Sequence, residues 1–144
     1  MKRILIIIAA IVCLCSCKEN IYDGAWEPME LDKTHISFQP EGGQNTVSVM
    51  NYPRWWINGG YEVIRIDDQK INSDYIHASS SDGEEAYTYD ILEGGWYHVM
   101  IPDKGKSNTI IITVDPIGDE GHPREAMIEM QAGNTFSNIS IAQQ

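Results

Sequence analysis

From Thr34 onward, apolar and polar residues alternate one by one. Ile36 and Phe38 fall on one side of such a zigzag, His35 and Ser37 on the other. Val47 and Val49 alternate with Thr46, Ser48 and Met50, and Ile110, Ile112 and Val114 with Thr109, Ile111 and Thr113. Ala126, Ile128 and Met130 alternate with Met127, Glu129 and Gln131, and Ile139 and Ile141 are flanked by Asn138, Ser140 and Ala142. A period of two in segments rich in Ile, Val and Thr predicts half-buried β-strands, because successive strand side chains point to opposite faces. Turn-forming residues separate them: Pro40-Glu41-Gly42-Gly43, Asp103 to Asn108, Pro116 to Pro123, and Ala132-Gly133-Asn134. Tyr61 to Ile66 and Ala86 to Leu92 read as two more strands, joined by a polar, turn-rich hairpin-like excursion over Asp67 to Glu85. No stretch has a helical period, so the pattern predicts an all-β sandwich over residues 34–144.

The N-terminus has a different pattern. Lys2 and Arg3 precede an unbroken apolar run from Ile4 to Leu14. That layout fits the core of an export signal, and the run is well short of the ~20 residues a spanning helix needs. Leu14-Cys15-Ser16-Cys17 resembles a bacterial lipobox, with Leu three positions before a cysteine and a small residue just before it. The resemblance implies cleavage after Ser16 and acylation of Cys17. Residues 1–16 are then a lipoprotein signal peptide, and residues 17–33 are a lipidated cysteine and a tether in which Ile21, Tyr22 or Trp26 can dock on the domain. The alternative is an ordinary signal with a spare cysteine near the cut. Two acyl chains give stable anchoring without a spanning helix. Lys18-Glu19-Asn20 resembles a context for sorting to the outer membrane or cell surface. Cys13 and Cys15 leave with the signal, so no free thiol remains for redox or zinc chemistry, and no cofactor is expected.

Charge narrows the partners. Without Lys2 and Arg3, the chain carries 8 basic and 21 acidic residues, a formal charge of −13. No run of Lys and Arg stands out, which argues against nucleic acid and against capture of acidic polysaccharide by charge. The acids include Asp67-Asp68, Glu84-Glu85, Asp115, Asp119 and Glu120. A glycosidase needs two carboxylates facing each other across a cleft, and a sandwich this small offers little room for one. The chain is read as non-catalytic. The stretch from Asp115 to His122 lacks EF-hand spacing and reads as a solvated acidic turn, and His35, His77, His98 and His122 form no metal-binding pair.

Aromatic residues carry the remaining chemistry. Tyr52, Trp55, Trp56, Tyr61, Tyr75, Tyr87, Tyr89, Trp96 and Tyr97 all fall between residues 52 and 97. Rings with an apolar face and a polar handle suit sugars, which present C–H faces beside hydroxyls. Strand alternation predicts that one of Trp55 and Trp56 is core and the other outward, that Trp96 and Tyr97 split likewise, and that Tyr87 and Tyr89 share a face. Trp55, Trp56, Tyr87, Tyr89 and Trp96 are the candidate ligand-binding residues; the alternative is that these rings build the core.

Several motifs occur in a familiar order: Ile36-Ser37-Phe38, Glu41-Gly42-Gly43, Thr46-Val47-Ser48-Val49, a tryptophan at 55 or 56, Trp96-Tyr97-His98-Val99 followed by Pro102 and Gly105, then Arg124-Glu125-Ala126-Met127-Ile128 and Ile139-Ser140-Ile141-Ala142-Gln143. This order resembles that of BACON domains (Bacteroidetes-associated carbohydrate-binding, often N-terminal) and covers about residues 34–143. The chain departs from the pattern by inserting residues 60–93 between its tryptophan segments. The resemblance implies an immunoglobulin-like β-sandwich without enzymatic activity. The partners expected are a bilayer through Cys17, polysaccharide or glycoprotein glycans, or other surface lipoproteins on which the domain docks as a spacer.

Overall fold

The computed structural model describes residues 26–66, 69–83, 89–119 and 121–144. The leader, Cys17 and Tyr87 lie outside the described residues. The chain folds as two β-sheets packed face to face, the all-β sandwich that the alternation predicts. One sheet runs in the order β1 (His35–Phe38), β10 (Thr135–Gln143), β9 (Arg124–Ala132), β3 (Trp56–Ile66), β4 (Gln69–Asn72), and β5 (Ile76–His77) adds to β3 beside β4. The other runs β2 (Gly43–Ser48), β8 (Thr109–Val114), β7 (Tyr97–Met100), β6 (Ile91–Glu93). All pairings are antiparallel except that of β1 with β10, which is parallel.

The alternating apolar residues fill the space between the sheets. Val47, Ile57, Leu92, Val99, Ile110, Ile112, Ile128, Met130 and Ile139 are fully buried, each contributing about 1.5–3 kcal/mol relative to exposure. The alternation is kept in the outer rows: His35 and Ser37 of β1 are exposed, as are Phe136 and Asn138 of β10.

The middle of the chain is more ordered than its composition suggests. Tyr61 to Ile66 is the second half of the longer strand β3, and the polar excursion folds back as β4 and β5 to extend the sheet. Of the strand expected over Ala86 to Leu92, residues 86–88 lie outside the described residues, Tyr89 and Asp90 are not in a strand, and β6 begins at Ile91. Asp90 is buried, and its carboxylate accepts hydrogen bonds from the backbone N–H and the hydroxyl of Ser81. Residues 26–33, at the end of the expected tether, lie on the sandwich. Met29 joins the core and Leu31 bridges to Val49.

One end of the sandwich is closed by a buried amide. Gln143 is fully buried, and its amide nitrogen, Nε2, donates to the carbonyls of Gln39 (3.0 Å), Pro40 (3.2 Å) and Asp115 (2.9 Å). Its Oε1 accepts from Arg124 Nε at 2.8 Å. The guanidinium also donates to the Asp115 and Pro116 carbonyls and lies 4.6 Å from the ring centre of Trp96. This node joins the ends of β1, β8, β9 and β10. By contrast, the buried hydroxyl of Tyr97 has no hydrogen-bond partner among the described residues. Burial, and then the charge of Glu62, push the Tyr97 pKa up.

Two substitutions probe these opposite cases. Gln143→Leu is expected to lower stability by about 2–3 kcal/mol, because it strands buried carbonyls and a guanidinium. Tyr97→Phe removes an unpaired hydroxyl and is expected to be neutral or to stabilise by about 1 kcal/mol. Urea unfolding of both variants measures the two effects.

Candidate functional site

The register of the sheets maps the outer face of the β1-β10-β9-β3 sheet row by row. Directly opposed antiparallel residues share a face. In the first row, Trp56 of β3 pairs with Gln131 of β9, which pairs with Phe136 of β10. In the second, Gly59 pairs with Glu129 and Glu129 with Asn138. In the third, Tyr61, Met127, Ser140 and His35 follow one another across four strands. Neighbouring strands are ~4.8 Å apart, so the backbones carrying Trp56 and Phe136 stand roughly 10 Å apart, with Gln131 between them.

A β-bulge makes this arrangement possible. The pairing of β3 with β9 shifts between Ile57 and Gly59, leaving Asn58 as the extra residue. Strict alternation from an outward Trp56 would turn Tyr61 inward. One extra residue reverses the parity, and Trp56 and Tyr61 end on the same face. Gly59 presents no side chain, and the ring of Tyr75 lies over it: a Cβ built at Gly59 would come within 2.6 Å of Tyr75 Cε1. Tyr75 also meets His77 edge-on, with 5.1 Å between ring centres. The stripe along β3 is therefore Trp56, Tyr75, Tyr61.

Polar groups lie beside the stripe. Tyr75 donates its hydroxyl to Glu129 Oε1 at 3.0 Å, and Asn58 Nδ2 donates to both Tyr75 Oη and Glu129 Oε1. Both bonds to Glu129 fall on Oε1, so Oε2 has no donor among the described residues. Gln131 Nε2 donates to the Gly133 carbonyl at 2.8 Å, which fixes the amide between Trp56 and Phe136. Phe136 is 53% exposed and Tyr75 38%; Trp56 and Tyr61 are half-buried. The face offers apolar rings, a carboxylate, three amides (Asn58, Gln131 and Asn138) and two phenols (Tyr61 and Tyr75) across β3, β9, β10 and the residue before β5.

Farther along the same face, a depression of about 410 Å³ is lined by His35, Lys70, Met127 and Ser140 among others. It shares Val63, Glu125, Ala142 and Gln144 with a cleft of about 770 Å³ that runs round to Trp96, Arg124, Glu62 and His122. In the cleft, Arg124 covers the Trp96 ring, and its Nε and Nη2 donors are already bound to protein acceptors. His35 and Ser140 are hydrogen-bonded at 2.7 Å, but the other His35 nitrogen faces Ser37 Oγ at 3.3 Å instead of a carboxylate. The pair thus lacks the orienting acid of a nucleophilic triad. Among the described residues, no group of three or more His, Cys, Asp or Glu could hold a metal ion.

The residues singled out by sequence divide accordingly. Trp55 is buried, and Trp56 is its outward neighbour, as alternation predicts. Trp96 and Tyr97 do not split: both are buried, because Trp96 lies in the bend before β7 and folds edge-on against Tyr97, with 5.1 Å between ring centres. Neither Trp55 nor Trp96 presents an open ring. Tyr89 is 36% exposed, and its carbonyl accepts the Ile57 N–H; its expected partner Tyr87 lies outside the described residues. Phe136, Glu129 and Gln131 were missed by the focus on residues 52–97. The period of two through Ile139 and Ile141 already places Phe136 outward.

No protein-family model and no curated protein matches this chain. Among solved structures, the chain is similar to an NMR structure of a protein from Bacteroides thetaiotaomicron. The two are 22% identical with a TM-score of 0.55, over 85% of this chain and 91% of that one. The likeness is one of fold.

Tyr75 supplies a spectroscopic handle on the site. Burial, followed by the hydrogen bond to Glu129 and its charge, raises its pKa from 10.0 to about 12. The folded state therefore holds the phenolic proton more tightly than the unfolded chain does. This stabilisation is complete below pH ~10 and is lost as pH rises through about 12. Alkaline difference absorbance is expected to show a tyrosinate step at about pH 12 that is absent from Tyr75→Phe, while the still later step of buried Tyr97 is retained.

Proposed function

We propose that this protein is a lipid-anchored, non-catalytic glycan-binding module displayed at the cell envelope. The carrying observation is the placement of Trp56, Tyr75 and Phe136 on one sheet face, with Asn58, Glu129 and Gln131 set among them. Rings accept the C–H faces of a sugar, while carboxylate and amide groups fixed by their own hydrogen bonds meet its hydroxyls at little further ordering cost. The site stands on strands, which hold such groups more exactly than loops do. The BACON-like order of motifs and the lipobox-like Leu14-Cys15-Ser16-Cys17 support the same reading. Cys17 is the attachment point, and the outer membrane or cell surface is the location.

A glycan array of host and dietary polysaccharides, followed by calorimetric titration of the hits, tests the proposal. Trp56→Ala and Phe136→Ala are each expected to weaken binding about tenfold, or roughly 1.4 kcal/mol. Absence of binding to every glycan, or unchanged affinity in both variants, overturns it. Recovery from native membranes of protein partners that glycans do not displace would instead make the domain an accessory piece of a larger surface complex.

A further inference from the structure

Several exposed apolar residues gather at one end of the sandwich, away from the Gln143 node. At that end β9 turns into β10 through Gly133, β3 begins, β2 ends and β8 begins. Met50, just past β2, is 65% exposed, and Trp26 is 49% exposed. Trp26 does not hang free. Its ring stacks on Tyr52 with 6.3 Å between centres and 26° between planes, and it lies against Gly133, where φ is +55° and a Cβ would strike the indole.

The backbone beneath these rings is also pinned. Tyr52 donates its hydroxyl to the Glu27 carbonyl. Asn51 accepts the Glu30 N–H at 2.9 Å and donates to the Pro28 carbonyl at 2.9 Å. A half-exposed indole and a nearly free methionine are thus fixed on the surface by hydrogen bonds of their own segment. Amphipathic rings of this kind are favoured where water meets lipid headgroups.

We infer that this end is a lipid-contact surface, with Trp26, Met50 and Tyr52 seated at the headgroup boundary of a bilayer. The inference rests on the reading of Cys17 as the acylated residue. Trp26 follows Cys17 by nine positions, and a fully extended chain of that length reaches at most about 30 Å. The end that carries the exposed rings is therefore also the end that the anchor holds near the membrane. Local charge suits a zwitterionic surface despite the acidity of the whole chain. Arg54, Lys104 and Lys106 lie in the segments that close this end, with Glu27, Glu30, Asp32, Asp82 and Asp103, and two of these acids are already engaged: Asp82 pairs with Lys104 at 2.7 Å and Asp32 accepts the Ser48 N–H at 2.8 Å. With this end on the lipid, β9 rises from the bilayer, and the Trp56–Phe136 row sits low on an upright sheet face.

The full-length protein, isolated with its acyl chains and reconstituted into phosphatidylcholine vesicles, provides the test. Vesicles with brominated acyl chains are expected to quench tryptophan emission in the native protein. Trp26→Phe is expected to abolish that quenching, and Met50→Ser to reduce it. Intact mass measured on the same sample reports acylation independently. Acylated protein whose emission is unquenched, or is quenched equally in Trp26→Phe, overturns the inference and leaves the patch to a protein partner. Absence of acyl mass overturns the anchor reading and the inference with it.

Discussion

The buried amide of Gln143 is the constraint on which the rest of the sandwich depends. Two packed sheets can slide over one another as long as only apolar side chains separate them. Gln143 removes that freedom at one end, because its donors are committed to the strand ends of both sheets and its acceptor to Arg124. Arg124 in turn lies over the ring of Trp96. Hydrogen bonds have directional requirements that hydrophobic contacts lack. The node therefore fixes the relative position of β1, β8, β9 and β10, and hence the register that aligns the outer-face rows.

From that fixed end, β9 acts as the axis of the molecule. It pairs with β3 on one side and β10 on the other over most of its length, so side chains from three strands stand in rows along it. The bulge at Asn58 then reverses the parity of β3 partway along. A single unpaired residue gathers rings that strict alternation would have divided between core and solvent. The same residue contributes its amide to the Tyr75–Glu129 cluster. Geometry and chemistry at the site thus share one local irregularity.

The core was legible in the sequence because it depends on a short-range signal. Ile36 and Phe38, Val47 and Val49, and Ile110, Ile112 and Val114 each declare their face within a few residues. The outcome for Trp55 and Trp56 followed from the same rule. Trp96 escaped it because the backbone bends at Gly95 and Trp96 just before β7, which delivers that ring to the core by another route. The candidate site was harder to read. Its rows combine residues from β3, β9 and β10, and no local pattern gives the pairing of Trp56 with Gln131 or the position of a bulge. Density of aromatics drew attention to residues 52–97, while Phe136, more exposed than any ring described there, lay on the far side of a hairpin. The Gln143 node was likewise hidden, since a lone glutamine near the end of an alternating strand looks like an ordinary polar residue.

The parallel pair at the edge of the sheet has a consequence for how the chain comes to be folded. β1 has β10 as its one strand neighbour among the described residues, and His35 and Ser140 meet across 105 positions of sequence. Contacts so distant close late, after the entropy of a long loop has been given up. A polypeptide emerging from a ribosome has no partner for β1 until β10 follows. Its sheet stays open and the Gln143 node unformed throughout that passage. Topology thus holds this edge of the sheet open until strands from both ends of the domain are present.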